Sequence, residues 1–152
     1  MRILLDTALV KDPRVVALLA RGALNVMIAA NVCMMKEAGP DAYPPLYASH
    51  IRFRPEPWAG KLEEFAPAIK VLARGWGDCD DLLCYRAAEL RAFGDRLAGT
   101  PPEMAKVRIY GRGKKMHAQV RRDPRFLQPG QIDIEDPSRL LDMAGRRIRL
   151  VG

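Results

Sequence analysis

Cys79 lies in the stretch Arg74-Gly75-Trp76-Gly77-Asp78-Cys79-Asp80-Asp81-Leu82-Leu83. The two glycines break whatever precedes them, and the acidic residues open a helical pattern that runs to Phe93-Gly94. The sulfur therefore falls at a helix N-terminus. Unpaired backbone N–H groups and the positive end of the helix dipole favour a thiolate there. Two facts pull the other way. Most lone cysteines are small buried hydrophobes, and Asp78, Asp80 and Asp81 surround this one with negative charge. Each such charge is typically worth ~0.3–1 kcal/mol at a helix end. A nucleophilic Cys79 thus requires an imidazolium partner.

Residue types that could serve stand further along. Met116, Ala118 and Val120 alternate with His117, Gln119 and Arg121, a strand pattern that puts His117 opposite the apolar face. Asp136 precedes Pro137, which restricts its backbone to extended conformations. Thiol catalysis needs these three types: a thiolate, an imidazole that accepts and returns a proton, and a carboxylate that fixes the imidazole tautomer. Taken singly, His117 reads as a surface strand histidine and Asp136 as a turn aspartate. Their separations allow strand pairing to bring all three together.

The elements that must position them follow from periodicity. A short strand or arm surrounds Ile3, Leu4 and Leu5. Asp12-Pro13 reads as an N-cap followed by proline at the first helical position, and a helix then extends from about Arg14 to Glu37. Its few polar positions predict burial, in the core or against a partner subunit. A loop rich in proline and tyrosine leads to a half-exposed strand at Ile51-Arg52-Phe53-Arg54. A helix from about Leu62 to Ala73 follows, bent or started by Pro67. After the Cys79 helix, with its apolar stripe at Leu82, Leu83, Ala87, Leu90 and Phe93, the period changes to two. Strands are expected at Val107–Tyr110, Met116–Val120 and Ile132–Ile134. Gly111-Arg112-Gly113 suits the connection between the first two, and a fourth strand is expected at Arg146–Val151. Helices first and a strand meander after define an α+β chain.

Composition sets limits on this reading. The 152 residues suit a single domain with a real core, with a helical segment at 1–40 and the remainder at 50–152. Cys33, Cys79 and Cys84 form no C-x-x-C pair and leave an odd thiol, which with no visible signal peptide implies a reducing, cytoplasmic setting. The longest apolar run, Ala23 to Met35, contains Asn25 and Asn31 and falls short of the about 20 residues a bilayer span needs, so no membrane partner is expected. Net charge is +7, almost all of it from residues 101–152. The basic residues there are scattered along strand-like segments without a nucleic-acid motif, so a solvated face is favoured over nucleic-acid binding.

Three stretches carry a family resemblance. Gly77-Asp78-Cys79-Asp80-Asp81 followed by Arg86-Ala87-Ala88-Glu89-Leu90-Arg91-Ala92-Phe93-Gly94 resembles the Cys motif of the transglutaminase-like superfamily. Met116-His117-Ala118-Gln119-Val120 resembles its His strand, and Glu135-Asp136-Pro137-Ser138 its Asp strand end, in the family's chain order. The resemblance covers about residues 74–143 and is closest to small stand-alone versions encoded in phage and prophage genomes. It implies a papain-like core in which the central helix packs on a small antiparallel sheet. Cys79 would be the nucleophile, His117 the general base and acid, and Asp136 the orienter. The implied reaction is attack on a protein or peptide amide, an acyl-thioester, then transfer to water or an amine, with no cofactor. Oxyanion or site-shaping roles fall to the Cys79 amide, Trp76, Trp58 and Asp78.

Other chemistries fit less well. Cys79 and Cys84 sit about 500° apart around a helix, and two histidines in the chain give poor zinc-ligand spacing. Gly111-Arg112-Gly113-Lys114-Lys115 lacks the helix a phosphate loop requires. The main rival is a catalytically silent structural or assembly protein of a phage virion, with the 14–37 helix as its interface to a second copy or another virion protein.

Overall fold

The computed structural model describes residues 1, 3–6, 10–55, 63–111 and 117–141. In chain order its elements are β1 (Ile3–Leu5), α1 (Pro13–Ala38), β2 (Arg52–Phe53), β3 (Glu63–Phe65), α2 (Ala68–Arg74), β4 (Trp76–Gly77), α3 (Cys79–Phe93), β5 (Lys106–Tyr110), β6 (His117–Arg121) and β7 (Ile134–Glu135). Helices dominate the first part and a strand meander the second, so the chain is α+β.

The first helix starts as its residue types dictate. Asp12 accepts the Arg14 amide at 2.9 Å, Pro13 takes the first helical position, and Gly39 ends the helix at φ 86°. Leu24, Met27, Ile28 and Met35 are buried on one face, packed against α3. Burial all round does not occur: Val15, Leu18, Leu19 and Val26 remain 42–69% exposed. The sequence is apolar on every side, but only one side has a helix to lie on. The helix also outruns the Ala23–Met35 run. By length and composition alone it would suffice to cross a bilayer, with mean hydropathy 1.8 over its most apolar stretch.

Asn31, the polar residue inside that run, is fully buried and useful. Its Oδ1 accepts the Ala68 amide at 2.9 Å, which caps α2 from outside. The expected Leu62–Ala73 helix is in fact strand β3 followed by α2. Pro67 marks the helix start, because a residue without an N–H loses nothing there. β3 pairs antiparallel with β1, and β2 pairs parallel with β4 just before Cys79.

α3 has the boundaries its caps predict. Asp78 accepts the amides of Asp80 and Asp81 at 3.1 and 3.0 Å, and Gly94 closes the helix at φ 80°. A Cβ at Gly94 would stand 2.1 Å from the Thr100 carbonyl oxygen, so only glycine ends the helix here. The apolar stripe understates this element. Every residue from Asp81 to Leu90 is buried, because α1 covers one side and the sheet another. That sheet is β5-β6-β7, antiparallel, with Tyr110 opposite His117 and Val120 opposite Glu135. The third strand is shorter than expected, since Ile132 lies before it at 76% exposure. Met116, Arg112 to Lys115, Trp58 and the strand expected at Arg146–Val151 lie outside the described residues.

Candidate active site

His117 opens β6 and Asp136 directly follows β7, and pairing of the two strands brings their side chains together. His117 Nε2 and Asp136 Oδ2 stand 2.6 Å apart. Asp136 is held from its other oxygen as well: Oδ1 accepts Ser138 Oγ at 2.7 Å and the Arg139 amide at 3.3 Å. Its carbonyl accepts the Leu140 amide, so Asp136 is also the cap of the short helix at residues 137–141. One carboxylate thus caps with one oxygen and orients the imidazole with the other. With Nε2 committed to Asp136, Nδ1 is the nitrogen left to exchange a proton with a thiol. The Tyr110 ring packs edge-on against the imidazole, centroids 6.1 Å apart.

Partial burial pushes the Asp136 carboxyl up, but the hydrogen bonds from Ser138 and His117 and the imidazole's charge outweigh it. The net result is a carboxyl below the usual carboxylate range. A lowered folded value means a contribution to stability present above the unfolded value and lost as pH falls through the folded one. Asp136→Asn should therefore flatten the acid limb of a stability-versus-pH curve below about pH 4. Urea titrations at stepped pH measure this. An acid limb as steep as the parent's would contradict it.

Cys79 occupies the first position of α3, half-buried, its Sγ 3.8 Å from Asp80 Oδ1. The acidic crowding inferred from sequence is relieved in part. Asp81 is buried and bound to the Arg74 guanidinium, and its Oδ1 accepts the Ala66 amide at 2.8 Å. Burial raises the Asp78 carboxyl despite the two amides it accepts. Those amides serve the cap, which excludes them as oxyanion donors. Removing it by Asp78→Ala should cost about 1 kcal/mol, read as a lowered midpoint in thermal melts. Two guanidiniums lie over the Trp76 ring, Arg74 at 3.7 Å and Arg54 at 5.2 Å from its centroid. Arg74 also donates to the Trp76 carbonyl at 2.8 Å. The other thiols differ. Cys84 is buried, which pushes its thiol well up, and Cys33 is exposed on α1.

Sequence reasoning missed a cluster of buried charges beneath the site. Arg86 is only 2% exposed, yet it meets Glu135 at 2.7 Å, Asp95 at 2.9 Å and Glu89 at 3.3 Å. Arg122 joins from the end of β6, contacting Glu103 at 2.5 Å, Asp95 at 3.2 Å and Glu135 at 3.5 Å. Arg96 reaches Glu89, whose other oxygen accepts the Leu46 amide, and Tyr47 donates to Glu135. The only sequence hint was spacing: Arg86 and Glu89 at i and i+3 fall on a helix otherwise rich in alanine and leucine.

Among the described residues, no group of three or more potential metal ligands converges. Comparison with known proteins returned no matching family model, no matching curated protein and no matching solved structure.

Proposed function

We propose that this chain is a transglutaminase-like cysteine enzyme, an amidase, protease or acyltransferase acting on a protein or peptide amide. The observation that carries the reading is the 2.6 Å contact between His117 and Asp136 on the sheet that packs against the Cys79 helix.

Register supports placing the sulfur at that imidazole. Arg86 contacts Glu135, which pairs with Val120, so these three define one rung between helix and sheet. Arg122 contacts Asp95 beyond the tail of α3, so β6 runs from the helix head toward its tail. Stepping from the rung toward the head, seven helical residues cover about 10 Å to Cys79. Three strand residues cover about 10 Å to His117. Seven residues is also within about 20° of two full turns, so Cys79 and Arg86 share a helix face.

In the proposed reaction His117 Nδ1 takes the Cys79 proton, and the thiolate attacks the amide carbonyl carbon. The tetrahedral intermediate collapses as imidazolium returns the proton to the leaving nitrogen, giving an acyl-thioester and a free amine. Water or a second amine then attacks the thioester, with His117 as base, and restores the thiol. The Cys79 amide, at the first helical position, is the proposed oxyanion donor. Asp136 keeps the imidazole in the tautomer that presents Nδ1. The setting that fits this chemistry is a reducing cytoplasm, that of a phage's host cell.

The test is the pH profile of Cys79 alkylation in a Cys33→Ser chain, with and without His117. The expected result is an acid-shifted profile that requires the imidazole. Identical profiles would sink the reading.

A second reading, an assembly protein that reuses the fold within a virion, is favoured by the exposed apolar face of α1, Leu18 at 69% above all. A concentration-independent monomer in sedimentation equilibrium would weigh against it.

A further inference from the structure

Among the described residues β7 is only two residues long and pairs with β6 at Val120↔Glu135 and Arg121↔Ile134, with one further backbone bond from the Arg122 amide to the Asp133 carbonyl. Two rungs alone leave such a strand loosely placed, since an isolated pairing of this size has little stability. The carboxylate that orients His117 nevertheless follows it directly, and positioning of a catalytic group must hold within about half an ångström. So short a ladder leaves side-chain contacts to set where the strand sits.

The side chain beside Asp136 supplies them. Glu135 turns the opposite way from its neighbour, as strand alternation requires, and enters the buried charge cluster. Its Oε1 takes Arg86 Nε at 2.7 Å and the Tyr47 hydroxyl. Its Oε2 takes Arg86 Nη2 and Arg122 Nη1, each at 3.5 Å. The Arg86 guanidinium is itself fixed, by Asp95 and Glu89 and by the Tyr47 ring lying 4.8 Å beneath it. It is also rooted in α3, two turns below Cys79 on the same face. One rigid element thus carries the sulfur at its head and, lower down, the grip on the strand that ends in Asp136.

The geometry points to Glu135 and Arg86 as positioning residues: their clamp, completed by Tyr47, sets the Asp136 carboxylate against His117 Nε2 and ties it to the helix that bears Cys79. The inference rests on the proposed roles of His117 and Asp136. It goes beyond them in assigning function to charges that a purely structural account would treat as core. Glu103 joins the same cluster through Arg122, at 2.5 Å, rather than through Glu135 or Arg86, and serves as the control.

The test uses the full chain with Cys33→Ser and His50→Gln, so that one exposed thiol and one competing imidazole are removed. Proton NMR follows the His117 Nε2–H resonance, whose slow exchange with water reports the bond to Asp136. Iodoacetamide follows Cys79. Asp136→Ala defines loss of the resonance. In folded Glu135→Gln the resonance should broaden or vanish, and Cys79 alkylation at pH 6.5 should fall roughly threefold, short of the loss on removing the imidazole itself, because misplacement weakens the partner without abolishing it. Glu103→Gln should lower thermal stability and leave both signals as in the parent.

A folded Glu135→Gln with unchanged His117 exchange overturns the clamp, as does a Glu103→Gln that disturbs the resonance equally. If Glu135→Gln does not fold, Tyr47→Phe removes a single donor to the same oxygen, and unchanged exchange there is equally decisive against it. Should the resonance weaken in Glu135→Gln while alkylation of Cys79 proves indifferent to His117→Ala, the clamp stands and the enzyme reading falls.

Discussion

His117→Ala should slow alkylation of Cys79 by about tenfold at pH 6.5 and change it little at pH 9.5. An unassisted thiol, with the ordinary value of about 8.5, is about 1% thiolate at pH 6.5. Full ionisation by an imidazolium would raise the thiolate population about 100-fold. A more acidic thiol is a weaker nucleophile, and over two pH units that takes back about one decade. About tenfold remains. At pH 9.5 an unassisted thiol is already mostly ionised and an ordinary imidazole carries no charge to pair with it, so the partner no longer matters.

Local electrostatics make this a demanding test. Asp80 Oδ1 lies 3.8 Å from the sulfur, where a carboxylate opposes ionisation while the helix dipole favours it. On a true amide substrate the loss should be larger, about 10²–10⁴-fold, because His117 would also protonate the leaving nitrogen. Stopped-flow alkylation with peptide mapping distinguishes Cys79 from the buried Cys84. Superimposable profiles for the parent and His117→Ala would leave no role for the imidazole.

Arg86→Met should cost about 3–5 kcal/mol, because it strands carboxylates in the core rather than removing a balanced pair. Among the described residues the fully buried Glu89 would keep Arg96 as its cationic neighbour, and Asp95 and Glu135 would keep Arg122. Against a typical total stability of about 5–15 kcal/mol this is a severe loss. At about 2–4 °C per kcal/mol for a chain of this size it lowers the melting midpoint by roughly 6–20 °C.

The pH dependence fixes the cause. Burial already raises the Glu89 carboxyl, with Arg86 the leading opposing influence. Without Arg86 that carboxyl rises further. A carboxyl with a raised folded value costs stability once pH exceeds its unfolded value, and protonation relieves the cost. The deficit should therefore be greatest near pH 7 and shrink toward pH 4.5, in thermal melts followed by circular dichroism. A deficit below about 1 kcal/mol, or one that grows on acidification, would mean that Arg86 compensates little.

Much of the secondary structure was written in short-range chemistry. Aspartate at 78 and glycine at 94 bound the Cys79 helix, and the caps observed there need only residues two to four positions away. Asp12-Pro13 starts α1 for the same reason. The same two-residue signal recurs at Asp123-Pro124, which opens a 3-10 turn, and at Asp136-Pro137, which opens the helix at 137–141. At Asp136 the extended backbone expected before Pro137 is also the conformation an N-cap takes, so one signal serves both the cap and the carboxylate beside His117. Alternation along β6 likewise placed His117 away from Ala118 and Val120, and those two are buried while His117 is half-exposed.

Tertiary structure alone decided which polar groups are interior. Arg86 and Glu89 look like the solvated side of an amphipathic helix, because an i,i+3 pair of opposite charge is what an exposed helix face also carries. Their partners arrive from Leu46, Asp95 and Glu135, as much as 49 positions away. It also decided which side of α1 is covered, since a uniformly apolar helix does not say where its neighbour lies. Caps, turns and strand periodicity depend on interactions a few residues long, and those the chain spells out. Burial of charge depends on who packs against whom, and that exists only once the helix and the sheet have met.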